Sequence, residues 1–445
     1  VKKKTIYICA SCGYESAKWL GKCPSCSEFN SFSEETQEKI RNESDYRRFD
    51  EAGIKPLSEI DAGTENRIMT GIAELDRVLG GGIVKGSLVL VGGEPGAGKS
   101  TLALQAAEAA AGTGMVIYVS GEESLAQVKS RAIRLNALSK NLMIAQETSV
   151  EKISSMMEKH MPVLMVVDSI QTVYKQDIES AAGSMNQVRE SCAQLMYAAK
   201  RTGIPVIIIG HVTKDGMLAG PKMLEHMVDV VLYFESEKYR DLKVLRAAKN
   251  RFGATNETGI FEMNESGLAG VDNPSKNFLS GMRDGKEGSA AVTVMEGSRP
   301  LIIEIQALCV KRAYGVAQRT VTGVDYNRFL VIVAVIEKNL GIKLENHDIF
   351  INVAGGVKIN DTACDLGLAA AVYSSYSGKP LPSDSVFIGE LGLDGTVIRA
   401  PHTPRRLKEA SRMGFARAFL PDEKESEKGM KITKTENINS LMGKI

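Results

Sequence analysis

The chain has 445 residues, with Lys+Arg 55 against Asp+Glu 54 and a formal charge of +1. That balance excludes a chain-wide electrostatic attraction to nucleic acid, so any basic surface must be local. Apolar content of 43% and charged content of 24% fit a globular protein of two or three domains and exclude a disordered or fibrous chain. No run approaches the roughly 18 uncharged apolar residues of a membrane span, and VKKKTIYICASC lacks a signal-peptide core, so the expectation is a cytoplasmic chain.

In chain order, residues 1–30 form a Cys-rich module. Cys9-x2-Cys12 and Cys23-x2-Cys26 each place two thiolates on one turn, and four thiolates close a tetrahedral zinc shell. With no open position, such a zinc is structural; a redox pair is the competing reading. Tyr14 and Trp19 are expected to cap so small a core. Residues 31–55 are polar and charged, as in a linker. From 56 to 273, apolar runs (GSLVLVGG, MVIYVSGEES, PVLMVVDSI, IPVIIIGHV, VVLYFE, LKVLRAA) alternate with helical patterns, which predicts an α/β core around a mainly parallel sheet. NPSKNFLSGMRDGKEG marks a boundary, and 274–445 reads as a separate α/β or α+β domain. Cys192, Cys309 and Cys364 lie in apolar patterns and read as buried thiols.

The chemistry concentrates in the core. Gly93, Glu94, Pro95, Gly96, Ala97, Gly98, Lys99 and Ser100 fit G-x-x-x-x-G-K-[ST], between the strand GSLVLVG and a helix that continues through Thr101. Such a loop wraps phosphate in backbone N–H groups at a helix N-terminus. Lys99 is expected on the β- and γ-phosphates of ATP and Ser100 on Mg²⁺. Asp168, ending VLMVVD, is the candidate second magnesium carboxylate. YVSGEES ends a strand with Glu122 and Glu123, either of which could orient the attacking water; an acid pair that merely caps the next helix is the alternative. His211 could sense the γ-phosphate from the neighbouring strand end, or be a polar loop residue. The loops after Asp168 and His211 carry Lys175, Lys214 and Lys222, and lone loop lysines are commonly just solvated.

After the apolar alternation LKVLRAA comes KNRFG, with Lys249 and Arg251 at alternate positions so that both can reach one anionic target. That target could be nucleotide or DNA, and a solvated turn is the bland alternative. Together, CASCGYESAKWLGKCPSC, GGEPGAGKS, VVDSIQTVY, GHVTKDG and KNRFG resemble the RadA (Sms) family of bacterial DNA-repair proteins along essentially the whole chain. The resemblance implies a RecA-like ATPase core with a four-Cys zinc finger and a C-terminal domain like that of Lon protease. It also implies a hexameric ring on single-stranded and branched DNA that moves recombination intermediates made by RecA. By likeness to DnaB-type rings, Lys249 and Arg251 would reach the neighbouring subunit's ATP, and by likeness to RecA-like proteins the loop cations Lys175, Lys214 and Lys222 would contact single-stranded DNA.

Lon-type proteases use a Ser–Lys dyad. The matching stretches NDTACD and GELGLDGTVIRAPHTPRRLKEA put Ala363 and Pro404 at the dyad positions, with Cys364 and Lys408 displaced from them, so protease activity is not expected. Arg399, Arg405, Arg406 and Lys408 could form a DNA-facing basic surface or an ordinary charged helix face. The competing functional class is a nucleotide-switched assembly protein similar to KaiC, which needs the same loop and strand ends without movement along DNA.

Overall fold

The computed structural model describes residues 4–9, 14–37, 66–211, 224–236, 242–255, 257–271, 273–279, 286–312, 314–421 and 424–445. Cys12, Lys214 and Lys222 lie outside them. Two compact units divide the chain, one of Val1–Ser236 with Lys243–Gly270 and the other of Glu237–Leu242 with Val271–Ile445. Among the described residues no helix is long and apolar enough to cross a membrane.

The N-terminal module is a three-stranded antiparallel sheet in which Lys4–Cys9 lies between Glu15–Ser16 and Phe32–Gln37. Its core is Cys9, Cys23 and Phe32, backed by Tyr7 and Leu20. Tyr14 and Trp19 do not cap it: they are 42% and 52% exposed. The converging thiols and Phe32 already fill the small interior.

The core unit is built on a nine-stranded sheet. Its order is Gly267–Gly270, Thr258–Asn264, Leu242–Asn250, Val230–Ser236, Leu88–Gly93, Val206–Ile209, Leu164–Asp168, Val116–Ser120, Leu142–Gln146. The six strands from Val230–Ser236 onward run parallel, and Leu242–Asn250 returns antiparallel against Val230–Ser236. Runs such as LVLVGG, VIYVS and LMVVD are buried on both faces, as a parallel sheet sandwiched by helices requires. One apolar cluster packs the Ala-rich helix Lys99–Ala110 onto one face; the other packs Val150–His160 and Met185–Thr202 onto the opposite face. Helix starts are set by Ser124, Ser149 and Ser184, whose side chains each accept from the N3 backbone N–H.

The second unit holds a seven-stranded mixed sheet. Its long hairpin Ser289–Glu296 and Arg299–Lys311 lies at the centre, flanked by His347–Val353 and Ser385–Phe387. Helix Asp365–Ser377 is buried over most of its length, which its small residues in LGLAAAV permit.

Candidate active site

All parallel strands point their C-terminal ends at one sheet edge, and the sequence puts its phosphate loop and acids there. Between Leu88–Gly93 and Lys99–Ala110 the backbone turns through positive φ at Gly93, Gly96 and Gly98. A Cβ on Gly93 would lie 2.3 Å from the Phe234 carbonyl oxygen, so only glycine fits beside that strand. Lys99 is buried, and its Nζ donates to the Gly93 and Glu94 carbonyls, each at 2.8 Å. The ammonium therefore lies folded over the loop it follows. Burial lowers its pKa, opposed by the nearby charges of Asp168 and Glu122. Ser100 and Thr101 begin the same helix.

Asp168 ends its strand one strand away from the loop, across Val206–Ile209. Its Oδ2 accepts from the Tyr118 hydroxyl at 2.6 Å, and Tyr118 is fully buried. Burial first, then Asp168, raises the phenol pKa well above its ordinary value, so Tyr118 remains a donor. The two glutamates separate. Glu122 accepts from the Ser169 hydroxyl and lies 3.5 Å from His211 Nε2. Glu123 pairs instead with Arg131 on the following helix, Leu125–Arg134, and its carbonyl accepts from Ser120 Oγ at 2.8 Å. His211 is further tied by its carbonyl, which accepts from Gln171 Nε2 at 3.3 Å. Loop, lysine, Asp168, Glu122 and His211 thus converge, and Glu123 turns away.

The loop after Asp168 leaves from this edge and carries Lys175. A single buried side chain organises it: Gln187 Nε2 donates to the carbonyls of Lys175, Ile178 and Ser180, and its Oε1 accepts from Lys175 N at 2.8 Å.

KNRFG lies at the opposite edge. Asn250 pairs with Val230, which pairs with Val89 near the start of the phosphate-loop strand. Four rises of about 3.3 Å each separate Val89 from Gly93, so Lys249 and Arg251 are remote from their own phosphate loop. Three residues of the motif are scaffolding. Asn250 is buried and bonds the Val78 carbonyl and the Phe252 N–H; Phe252 packs on the core; a Cβ on Gly253 would meet Gly80 Cα at 3.2 Å. The cations stay accessible. Lys249 Nζ donates to the Glu225 and His226 carbonyls, and Arg251 faces Asp229 at 3.3 Å with 56% of its side chain exposed. Burial, then the charge of Arg251, lowers the Lys249 pKa.

In the N-terminal module, Cys9, Cys23 and Cys26 bring their sulfurs within 4.8 Å of one another, which fits a shared metal ion. In the C-terminal unit, a cleft is lined by Asp325, Arg328, Asp361, Thr362, Cys364 and Asp365, and the position where Lon-type proteases carry their serine is Ala363. Ala363 is fully buried, and burial pushes the Cys364 thiol well above its ordinary pKa. Arg406 is not part of a surface patch, as its charged helix suggested. It is fully buried, donating to the Thr293 and Pro401 carbonyls and to Asp361 Oδ2 at 2.7 Å. The carboxylate of Asp361, far off in sequence, draws it inward.

Sequence reasoning missed Tyr118, Ser169, Gln187, Lys200 and Asp229. Only Tyr118 left a local signal, as the one aromatic in the strand VIYVS, where its neighbours Ile117 and Val119 are aliphatic.

Three family models match: an AAA domain over residues 55–217, a rubredoxin metal binding domain over 7–34, and the subunit ChlI of Mg-chelatase over 322–424. The crystal structure of the RadB recombinase aligns over 46% of this chain and all of its own, at 25% identity and a TM-score of 0.37. With the sheet order and phosphate loop, the family matches define a RecA-like P-loop ATPase carrying a zinc ribbon in front and a Lon-like α/β domain behind. The DNA repair protein RadA of Listeria monocytogenes is 48% identical over 97% of this chain and 95% of its own. That of Halalkalibacterium halodurans is 50% identical over 95% and 93%, and that of Bacillus subtilis 47% over 98% and 97%. The chain belongs to the RadA family of DNA repair proteins.

Proposed function

We propose that the chain is an ATP-driven motor of homologous recombination. It acts as a hexameric ring on single-stranded and branched DNA and drives branch migration of intermediates made by the RecA recombinase. The observation that carries this reading is the separation of chemistry across the sheet. Lys99, Asp168, Glu122 and His211 gather at one edge, and the accessible cations of KNRFG sit at the other. A single copy cannot bring Lys249 or Arg251 to its own phosphate loop, so a complete site needs a second copy.

The loop amides from Gly93 to Ser100, with Lys99, hold the phosphates of ATP. Ser100, and Asp168 through water, would hold magnesium, which when bound would offset phosphate charge. Glu122 takes the proton of the attacking water, and His211 beside it registers whether the γ-phosphate is present. Lys249 and Arg251 stabilise charge on the neighbour's phosphates. Lys175, Lys214 and Lys222 grip the DNA backbone. Four thiolates, Cys12 with the clustered three, hold a structural zinc.

The test is ATP turnover with and without single-stranded DNA, followed by unwinding of a forked duplex. Stimulated turnover and unwinding are expected, both lost in Lys99→Ala. Turnover indifferent to DNA, with no unwinding, would replace the motor with a nucleotide-switched assembly.

A further inference from the structure

Arg251 does not stand alone at its edge of the sheet. Asp229, 2% exposed, is the hub there. Its Oδ2 accepts from the Leu88 N–H at 3.0 Å and from Lys200 Nζ at 2.9 Å, and its Oδ1 faces Arg251 at 3.3 Å. The Arg251 N–H also donates to the Asp229 carbonyl at 3.2 Å. Lys200 comes from the last turn of helix Met185–Thr202, and Leu88 opens the phosphate-loop strand.

A buried carboxylate stripped of its counter-charge is strongly unfavourable. Here two cations share one carboxylate, and they are not equivalent. Lys200 and the Leu88 amide share one oxygen at 2.9 and 3.0 Å, whereas Arg251 alone bonds the other at 3.3 Å. If Arg251 leaves, Asp229 keeps a cation and an N–H. If Lys200 is lost, Arg251 becomes the one cation in direct contact with the Asp229 carboxylate among the described residues, with Lys249 acting on it only at longer range.

We propose that Lys200 and Asp229 are positioning residues for Arg251. Asp229 fixes where the guanidinium waits, and Lys200 allows it to depart toward the phosphate of a neighbouring copy. The proposal rests on the reading of Arg251 as a cation that acts in trans. It adds two residues outside KNRFG, Lys200 and Asp229, to the machinery, and because Asp229 also bonds Leu88, it ties the waiting cation to the strand that ends in the chain's own phosphate loop.

The test uses the full chain. Arg251→Ala, Lys200→Met, Lys200→Arg, Lys200→Met/Arg251→Ala and Lys200→Met/Asp229→Asn are compared by thermal unfolding and by DNA-stimulated ATP turnover. In unfolding, the double loss of Lys200 and Arg251 should lower the melting temperature by more than the sum of the single losses, because only then does Asp229 lose both cations that touch its carboxylate. In turnover, Arg251→Ala should lose on the order of a thousandfold. Lys200→Met should lose about tenfold or more in kcat at unchanged KM for ATP, since Arg251 is held back after nucleotide has bound. Lys200→Arg and the pairing with Asp229→Asn should each restore most of that kcat. Additive melting shifts, or full stimulated turnover in Lys200→Met beside an impaired Arg251→Ala, would overturn the positioning role and leave the trans reading standing. Full turnover in Arg251→Ala would overturn both.

Discussion

Glu122 and Glu123 are adjacent in sequence and point their carboxylates at different partners. Glu122 meets Ser169 and His211 among the strand ends, and Glu123 pairs with Arg131 of the next helix. A general base must lie within reach of the water it deprotonates, and only Glu122 shares the space of Lys99 and Asp168. Glu122→Gln is therefore expected to cut ATP turnover by about a hundredfold to ten-thousandfold while nucleotide still binds. Glu123→Gln should leave turnover close to the parent and cost about 0.5–1 kcal/mol of stability through the half-exposed Arg131 pair. Turnover and equilibrium binding of a fluorescent ATP analogue, measured on both variants, check the assignment. A dead Glu123→Gln beside an active Glu122→Gln would reverse it.

Tyr118 holds one oxygen of Asp168, and on the proposed mechanism the other oxygen would be left to the water shell of magnesium. A hydrogen bond to a charged acceptor contributes about 1.5–3 kcal/mol. Tyr118→Phe keeps the buried ring and removes only the hydroxyl. The expected outcome is that Mg²⁺ must be raised about tenfold to support tight nucleotide binding, by the same hydrogen-bond magnitude. Binding measured in chelator should be unchanged. A Mg²⁺ titration of fluorescent-nucleotide binding reads this directly, and an unshifted titration would reduce Tyr118 to a packing residue.

What the sequence disclosed and what it concealed divide along contact range. The phosphate loop, the strand ending at Asp168 and the thiol pairs are local patterns: glycine spacing, a buried apolar run ending in an acid, and C-x2-C turns. Their chemistry travels with the neighbouring residues, so it could be read directly. The pairing of Tyr118 with Asp168 spans 50 positions, and that of Leu88 with Asp229 spans 141. No periodicity encodes such a meeting; sheet order creates it. Glu122 and Glu123 could not be separated because the choice depends on Ser169 and His211, both from other strand ends. Arg406 misled for the same reason. In a charged helix pattern it looks solvated, yet its partner Asp361 lies 45 residues earlier on a segment that the sheet folds beneath it.

That buried pair carries a stability prediction for the C-terminal unit. Asp361 accepts from Arg406 and also from the Met295 and Ala363 N–H groups, so it joins the central hairpin to the former nucleophile segment. Removing one partner of a buried pair leaves an uncompensated charge, which costs about 3–5 kcal/mol. Arg406→Met should lower the unfolding free energy by that amount in denaturant titration. Ala363→Ser should generate no peptide hydrolysis, because Pro404 supplies no general base. Casein degradation by Ala363→Ser would contradict the reading of this cleft.

Gln187 offers the sharpest separation of DNA coupling from nucleotide chemistry. It touches none of Lys99, Glu122 or Asp168, yet four hydrogen bonds from its one amide hold the Lys175 loop. Gln187→Leu preserves the buried helix face and leaves those loop groups without their partner. The two hydrogens of Nε2 are shared among three carbonyls, so at about 0.5–1 kcal/mol for each of about three full bonds the ordered loop loses roughly 1.5–3 kcal/mol relative to its open forms. ATP turnover without DNA should stay near the parent value. The concentration of single-stranded DNA giving half-maximal stimulation should rise about tenfold or more, each tenfold corresponding to about 1.4 kcal/mol. Limited proteolysis should report the same loosening as faster cleavage at Lys175. If DNA stimulation is unchanged while the loop is cut faster, the loop is not a DNA contact, and the grip on the strand must come from elsewhere in the chain.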